Sequence, residues 1–344
     1  MKAVIFAPGQ YVKIVLAFTM MVLFMVGCSA ANGSQTTTAE ADEVTFQMGW
    51  IHEYSAAGLY AAVANDRFTA ENLSVQINEG GFGEQGYIDP ITQVSEGSAD
   101  FGATSAISLI QARAAGVPVV AIAAEIQRSP FALISLAEDN IIRPADLVGK
   151  RVAVNDGGAA ALYNALLLSQ GLNPDDIETI SRTTFGIDPL TNDEVDVIGG
   201  WIINEAILVR EAGLEPTSIL LSDYGINDYT SLIFTTEKII NEKPDVVERF
   251  LRAYLQGIAD VIADPEEAVT LVMQYNDTLV AEEQERRLQA WLPLINPAGS
   301  TLGAMQTNIW EQIHQIMLDH GILAEPITIE EAYDLRFLEA INQE

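Results

Sequence analysis

The chain has 344 residues, 49% of them apolar, which allows about two domains of ordinary size and excludes global disorder. Its 48 acidic residues outnumber 17 basic ones, a balance that disfavours binding to nucleic acid or to anionic membrane surfaces. The single cysteine, Cys28, excludes a disulfide within the chain and a thiolate metal cluster.

The N-terminus has the pattern of an export signal. Lys2 and Lys13 precede the apolar run "IVLAFTMMVLFMV", which is shorter than the roughly 17–25 residues of a membrane span. The sequence "MVGC" that follows resembles a bacterial lipobox, in which the cysteine is acylated. A plain signal peptide and an uncleaved signal anchor are the alternatives, but the polar stretch after Cys28 is typical of a tether. We therefore predict a signal peptide over 1–27 and a lipidated tether over 28–43.

From Val44 onward, short apolar runs alternate with helical patterns, which predicts an α/β fold with largely parallel strands. Strands are predicted at "VTFQMGW", "LSVQI", "ADFGATS" and "VVAIAAEIQ", with helices between them and a loop at "NEGGFGEQGYID". The pattern continues with "FALISL", "RVAV", "VDVIGGW", "TSILLSD" and "YTSLIFTT". After Lys238 the sequence becomes helical, beginning with a strongly amphipathic segment at 244–263.

One unit recurs, a strand followed by a small or polar loop and then a helix, near residue 50 and again near residue 155. This recurrence predicts two similar lobes, with a crossover near 127–130 and a return near 223–229. The predicted lobes are 44–127 plus 226–344, and 128–225. A chain that leaves a lobe and returns to it forms a two-connection hinge, which suits closure over a ligand.

Ligands of open α/β sheets bind at the carboxyl ends of strands, where helix N-termini present free N–H groups. Four segments occupy such positions: Trp50–Tyr54, Ala103–Ser105, Asn155–Gly158 and Gly199–Glu205. Asn155 or Asp156 is expected to cap the helix that follows it. A lone tryptophan is more often part of a core than a ligand platform. Because tryptophans recur at equivalent points of both predicted lobes, the two interpretations are equally favoured for Trp50 and Trp201.

The sequence offers little support for catalysis or a metal site. His52, His314 and His320 have no metal-ligand spacing, and no nucleotide-binding or serine-hydrolase motif occurs. We therefore predict no catalytic residue, no metal and no cofactor. The role of Glu53 stays open: it is either a hydrogen-bond acceptor for the ligand or a solvated helix cap.

Charge and aromatic content narrow the expected ligand. Between Val44 and Gln127 the basic residues are Arg67 and Arg113, both expected on helices away from the strand ends, whereas a sulfonate or phosphate site needs cations at its mouth. Aromatic residues are frequent at the predicted mouth: Trp50, Tyr54, Phe82, Tyr87, Tyr163, Trp201 and Tyr224. A flat, neutral, polar heterocycle fits this composition better than a small anion.

Four stretches, beginning "GWIHEYSAAGLYAA", "QVSEGSADFGATSA", "LVGKRVAVNDGG" and "VDVIGGWIINEA", resemble the extracytoplasmic solute-binding proteins of ABC importers. The group includes binders of thiamine pyrimidine precursors, riboflavin and alkanesulfonates, and the likeness extends over nearly all of Val44 to Phe337. It implies a two-lobed periplasmic-binding-protein fold (type II-like) with the ligand cleft between the lobes. A tryptophan at the end of the first strand, as at Trp50, resembles the version of this group that takes flat heterocycles. The acidic composition, the lipobox and the aromatic mouth are most similar to the riboflavin-binding branch.

The resemblance implies a lipid-anchored, extracytoplasmic, monomeric protein that captures riboflavin and delivers it to a membrane permease. Its alternatives are a binder of a formylaminopyrimidine-type thiamine precursor, a pyrimidine-forming enzyme of the same fold, or a tethered sensor domain. The cysteine-rich iron motif of the related enzymes is absent from the sequence. Ring stacking is expected from Trp50, Tyr54, Tyr87, Tyr163 and Trp201, with polar contacts from Ser105, Asn155, Asp156, Asn204 and Tyr224.

Overall fold

The computed structural model describes residues 40–343, apart from positions 85, 184 and 185. The described strands are β1 (Asp42–Gln47), β2 (Leu73–Asn78), β3 (Phe82–Gly83), β4 (Gly86–Tyr87), β5 (Phe101–Thr104), β6 (Val119–Ala124), β7 (Phe131–Leu136), β8 (Arg151–Val154), β9 (Glu178–Ser181), β10 (Val197–Trp201), β11 (Pro216–Leu220) and β12 (Leu232–Thr236). The described α-helices are α1 (Ala57–Ala64), α2 (Arg67–Ala70), α3 (Pro90–Ser95), α4 (Ala106–Ala114), α5 (Gly158–Ser169), α6 (Asp188–Thr191), α7 (Glu205–Glu211), α8 (Glu237–Glu242), α9 (Pro244–Ala263), α10 (Pro265–Val272), α11 (Ala281–Ile295), α12 (Thr307–Asp319) and α13 (Arg336–Ile341).

Two five-stranded sheets organise the fold. The first has the order β2-β1-β5-β12-β6 and the second β11-β7-β10-β8-β9, while β3 and β4 form a separate hairpin. In each sheet four strands run in one direction and one runs against them, namely β12 in the first and β7 in the second. The predicted parallel character is thus confirmed, and each exception is the strand by which the chain enters from the other sheet.

The two segments that connect the sheets, 125–130 and 221–231, are hydrogen-bonded to each other through Asn227. Its Oδ1 accepts the N–H of Ser129 at 2.8 Å, and its Nδ2 donates to the carbonyl of Gln127 at 3.1 Å. Paired connections of this kind allow two bodies to rotate about a common line. The residue boundaries predicted for the two lobes stay a prediction.

The second sheet is covered on both faces. Leu133 of β7 belongs to the apolar cluster that includes Tyr163 and Leu166 of α5, whereas Ile134 packs with Val209 of α7. Alternate residues of β7 thus enter opposite cores, which explains why "FALISL" is apolar throughout. The first sheet shares one large core with α1, α9 and the C-terminal helices, including the buried Trp291 and Trp310.

The structure adds elements to the predicted pattern. The segment predicted as a loop, "NEGGFGEQGYID", contains the β3–β4 hairpin, and the edge strand β9 was not predicted. The predicted signal peptide and Cys28 lie outside the described residues. Among the helices of the described part, none has the length and apolarity needed to cross a bilayer.

Candidate functional site

The carboxyl ends of strands from both sheets line a cavity of about 740 Å³. The first sheet contributes Trp50 after β1, Ser105 after β5 and Glu125 after β6, and the second contributes Asn155 after β8 and Trp201 at the end of β10. These are the positions at which open α/β sheets bind ligands, because the strand ends and helix N-termini leave backbone groups free there. The cavity is therefore the candidate site.

Two tryptophans, one from each sheet, form exposed aromatic surfaces in the cavity wall. Trp50 is 44% and Trp201 38% exposed, unlike the other two tryptophans of the chain, which are buried. The rings of Phe82 and Trp50 meet in a T-shaped contact with a centroid distance of 5.9 Å, and Tyr87 donates its hydroxyl to the Gly49 carbonyl at 3.0 Å. Exposed rings beside a cavity are suited to stacking on a flat ligand.

Tyr54 presents a different kind of surface, since only 3% of it is exposed although it lines the cavity. Its backbone N–H donates to Oε1 of Gln284 at 2.9 Å, and its ring meets Trp291 edge to face at 6.4 Å. Both partners lie on α11, so this helix fixes the position of Tyr54 against the cavity.

Three predicted polar residues line the cavity and hold local structure there. Ser105 caps α4 by accepting the N–H of Ser108 at 3.1 Å. Asn155 donates to the carbonyl of Arg182 at 2.8 Å, and Asn204 accepts from Nη1 of Arg287 at 2.5 Å. Seven of the ten predicted residues thus line the cavity, and their role in binding stays a prediction: Trp50, Tyr54, Tyr87, Ser105, Asn155, Trp201 and Asn204.

The other three predicted residues do not line the cavity. Tyr163 is fully buried in the core of the second sheet, with its hydroxyl 3.3 Å from that of Thr179. Asp156 accepts the hydroxyl of Ser181 at 2.8 Å instead of capping α5, which starts after Gly157 without a side-chain cap. Tyr224 lies in the short 3₁₀ turn Leu221–Tyr224 and packs against the apolar cluster of the second sheet.

The expectation of few cations holds for the first part of the chain but not for the whole cavity. Arg67 pairs with Asp260 and Arg113 with Glu237 and Glu331, all away from the cavity. Two other arginines, Arg182 and Arg287, line it. Both are engaged by protein acceptors, so neither offers the free cation that a sulfonate site requires.

Arg182 is 5% exposed and lies against three acceptors. Its guanidinium donates to the carbonyl of Gly199 at 2.5 Å, to the carbonyl of Gly186, and to Oε1 of Glu205 at 3.4 Å. Gly200 allows this arrangement, because a Cβ there would lie 2.8 Å from the Glu205 carboxyl carbon. Sequence reasoning missed Arg182, although it follows a strand end as the predicted residues do.

The cavity wall also contains two carboxyl groups without a strong ion pair. Burial raises the pKa of Glu53 to about 7, against a weaker effect of the Ser55 hydroxyl, which donates to Glu53 at 3.3 Å. Burial likewise raises the pKa of Glu125. The neighbouring His52 does not pair with Glu53, because its Nδ1 lies 2.6 Å from the Tyr60 hydroxyl and its ring stacks on Tyr275. The sequence neighbours His52 and Glu53 therefore form no acid/base pair.

Among the described residues, no group of three or more His, Cys, Asp or Glu side chains is arranged to hold a metal ion. Besides the ion-paired Arg182, Arg287 and Glu205, the cavity offers aromatic surfaces, hydroxyls, amides and the carboxyl groups of Glu53 and Glu125, whose pKa is raised. Such a set suits a flat, polar ligand that carries hydrogen-bond donors.

Comparison with known proteins gives the family. The model of the family described as NMT1/THI5 like matches residues 53–268. The riboflavin-binding protein RibY of Chloroflexus aurantiacus is 26% identical, over 93% of this chain and 95% of its own length. The formylaminopyrimidine-binding protein of Halalkalibacterium halodurans is 25% identical, over 93% and 97%. Relatives named as a pyrimidine phosphate synthase also occur.

Solved structures support the same fold. The periplasmic aliphatic sulphonate binding protein of Escherichia coli aligns with a TM-score of 0.65 over 85% of this chain and 97% of its own, at 16% identity. The resemblance drawn from the sequence and the predicted fold class are thereby confirmed. The chain belongs to the NMT1/THI5-like family and has the periplasmic-binding-protein fold that it shares with solute-binding components of ABC importers.

Proposed function

We propose that this protein captures riboflavin in the cavity between its two sheets and delivers it to the permease of an ABC importer. The observation that carries the proposal is the pair of exposed tryptophans, Trp50 and Trp201, which line a cavity of about 740 Å³ and come from different sheets. That volume lies within the roughly 300–1,000 Å³ of pockets for drug-sized ligands. A three-ring flavin with its polyol chain would use both platforms, whereas a single pyrimidine ring would leave much of the space unfilled.

The energetics of such a site are sufficient for capture. Each stacking platform contributes about 1–3 kcal/mol, by analogy with nucleobase stacking. Hydrogen bonds from Ser105, Asn155 and the cavity carboxyl groups would add to this, and micromolar binding requires about 8 kcal/mol. The relative that is named for riboflavin and aligns over nearly the whole chain supports the same ligand.

A thiamine precursor of the formylaminopyrimidine type is the second candidate. It is favoured by Glu53, whose raised pKa and position on the cavity wall suit an aminopyrimidine edge, and by a relative named for that ligand at similar identity. Binding is proposed in place of catalysis because the two relatives named for binding align over nearly the whole chain.

We further propose that the protein acts outside the cytoplasm, as a monomer, anchored through acylated Cys28. The lipobox-like "MVGC" and the polar tether after it support this placement. A bound lipid would keep the cavity close to the permease, which raises its effective concentration there.

The decisive experiment is a fluorescence titration of riboflavin with protein that has been unfolded, stripped of ligand and refolded. Stacking on tryptophan is expected to quench flavin emission in a saturable manner, and a thermal-shift panel should show a larger stabilisation by riboflavin than by formylaminopyrimidine. Flavin emission that stays unchanged in a micromolar excess of folded protein would overturn the riboflavin assignment. A shift caused by formylaminopyrimidine alone would establish the second candidate, and mass spectrometric detection of a converted ligand would establish an enzyme.

A further inference from the structure

Glu125 is a buried carboxyl residue at the wall of the cavity, directly after β6. It is 7% exposed, and its backbone N–H donates to the carbonyl of Ser231 at 3.0 Å. It therefore lies where the chain leaves the first sheet, beside the end of the segment that returns from the second sheet. Neither the charge balance nor any motif of the sequence points to this residue.

Two hydroxyl groups fix both oxygens of the Glu125 carboxyl. The hydroxyl of Tyr254 on α9 donates to Oε1, and the hydroxyl of Ser231 donates to Oε2 at 2.6 Å. The ring of Tyr254 packs against Phe46 and Phe250, with centroid distances of 6.0 and 6.1 Å. The orientation of the carboxyl group is thus set before any ligand arrives.

This arrangement leaves acceptor capacity without a partner. An ionised carboxyl group has about four acceptor positions, of which the two hydroxyls occupy two. No lysine or arginine of the described residues forms an ion pair with Glu125. Burial raises the pKa of Glu125 and so disfavours its ionised form. A donor N–H from a ligand would oppose this effect, because a hydrogen bond to the carboxylate stabilises the ionised form.

Thr230, the residue before Ser231, supplies a second polar group in the same part of the wall. It lines the cavity, and its Oγ1 is buried without a hydrogen-bond partner in the described residues. A buried hydroxyl without a partner destabilises the protein, so a ligand atom is the expected partner. The wall therefore presents an acceptor at Glu125 and, one residue before its hydrogen-bond partner Ser231, a hydroxyl able to donate at Thr230.

We propose that Glu125 and Thr230 form a specificity subsite that binds the N–H group and the adjacent carbonyl at the lactam or imide edge of a flat heterocycle. Tyr254 and Ser231 are positioning residues that orient Glu125. The inference rests on the proposed function, in which a flat heterocycle occupies the cavity, and a flavin has such an imide edge. An aminopyrimidine without a ring carbonyl lacks it.

The test compares riboflavin with its derivative methylated at the imide nitrogen, by fluorescence titration of the stripped and refolded full chain. The wild type is expected to bind riboflavin at least about tenfold more tightly than the methylated compound, as expected for a hydrogen bond to a charged group. Glu125→Gln, which keeps the shape of the side chain, should reduce this preference to about threefold or less. Glu237→Gln, at an exposed carboxyl group paired with Arg113, is the matched control and should keep the full preference.

Thr230→Val separates a binding role from a structural one. Removal of a hydroxyl without a partner should leave the thermal midpoint of the ligand-free protein unchanged or higher, while riboflavin binds about tenfold more weakly. The inference is overturned if wild-type protein binds both flavins equally, or if Glu125→Gln keeps the wild-type preference. In either case riboflavin binding itself would stand. Failure of the folded wild type to bind any flavin would overturn the proposed function and this inference together.

Discussion

Glu205 holds the backbone of Trp201, because its Oε2 accepts the N–H of that residue at 2.8 Å. The other carboxyl oxygen faces the guanidinium of Arg182 at 3.4 Å, so one buried carboxylate joins a cavity tryptophan to a cavity arginine. Gly200, the residue of β10 that faces this carboxylate, has no side chain to obstruct the contact. The position of the Trp201 ring therefore depends on an ion pair that is itself nearly inaccessible to solvent.

Substitution of Glu205 should weaken ligand binding through Trp201. Glu205→Ala removes the acceptor and leaves Arg182 without its counter-charge, so the free energy of unfolding should fall by about 3–5 kcal/mol. When Trp201→Ala is added to the folded Glu205→Ala protein, it should weaken flavin binding less than it does in the wild type. A double-mutant cycle measures this difference. Glu205→Gln keeps an acceptor for the Trp201 N–H and should bind flavin within a few-fold of wild type. Additive effects on affinity would show that Glu205 does not position Trp201.

Trp50→Ala should reduce flavin affinity far more than stability. Loss of one stacking surface removes about 1–3 kcal/mol of binding free energy. Because the side chain is 44% exposed, its removal should change the free energy of unfolding by only about 1 kcal/mol or less. Titration and urea unfolding measure the two effects. Leu168→Ala, at a 61% exposed position outside the cavity, is the control; a collapse of folding in the tryptophan variant would instead identify Trp50 as a core residue.

Periodicity was sufficient to predict most strands and helices because their apolar residues form continuous runs or stripes. The elements it missed lack that signal. In β9, Glu178, Thr179 and Ser181 are exposed at the edge of the sheet, and the strands of the β3–β4 hairpin have two residues each. An edge strand needs no apolar face, so its pairing with β8 depends on residues far away in the sequence.

The same limits decided which site residues could be found. Arg182 directly follows β9, so recognition of that strand would have placed it at a strand end with Asn155 and Trp201. Glu125 was not identified as a site residue because the predicted strand extended to Gln127, which placed Glu125 inside the strand. In the structure β6 ends at Ala124, so Glu125 lies at the strand end. Tyr163 could have been excluded, since it shares a helical face with Leu166 and Leu167, which are buried.

Cys28→Ser should release the protein from the membrane. The thiol of Cys28 is the proposed attachment point for the lipid, whose buried acyl chains would hold the protein at the membrane. Serine has no thiol, so the variant should lose this anchor. Cells grown with labelled fatty acid should label the wild type but not the variant, which should move to the soluble extracytoplasmic fraction. Ser29→Ala, one residue further on, should behave as the wild type. A variant that stays in the membrane fraction would favour an uncleaved signal anchor.

Gly257→Ala should destabilise the fold although alanine is normally the better helix former. A Cβ at this position of α9 would lie 2.2 Å from the carbonyl oxygen of Gly58 and 2.7 Å from the backbone nitrogen of Ala62, both on α1. Backbone atoms cannot move aside cheaply, so overpacking should cost about 1–3 kcal/mol or more. Gln256→Ala, at an exposed neighbouring position, should be neutral or slightly stabilising. Equal urea midpoints for the two variants would contradict close helix packing.

Asp228→Asn should stabilise the protein at pH 8 but not at pH 4. Asp228 is 4% exposed, its Oδ1 has no hydrogen-bond partner among the described residues, and burial raises its pKa from 3.8 to about 7. A carboxyl group whose pKa is higher in the folded state binds its proton more tightly there. Its contribution to folding is therefore most favourable below about pH 4 and is lost as the pH rises to about 7.

The difference of about three pKa units corresponds to about 4 kcal/mol as an upper limit on the gain from asparagine at pH 8. Urea unfolding between pH 4 and pH 8 measures this gain as the difference in the free energy of unfolding between variant and wild type. Taking the difference cancels the titration of Glu53 and Glu125, which both proteins contain. Asp196→Asn is the control of opposite sign, because Arg151 lowers the pKa of Asp196, and that variant should lose stability at neutral pH. If the gap for Asp228→Asn stayed constant across this range, Asp228 would be ionised in the folded state at pH 4, and an undetected partner would have to stabilise its charge.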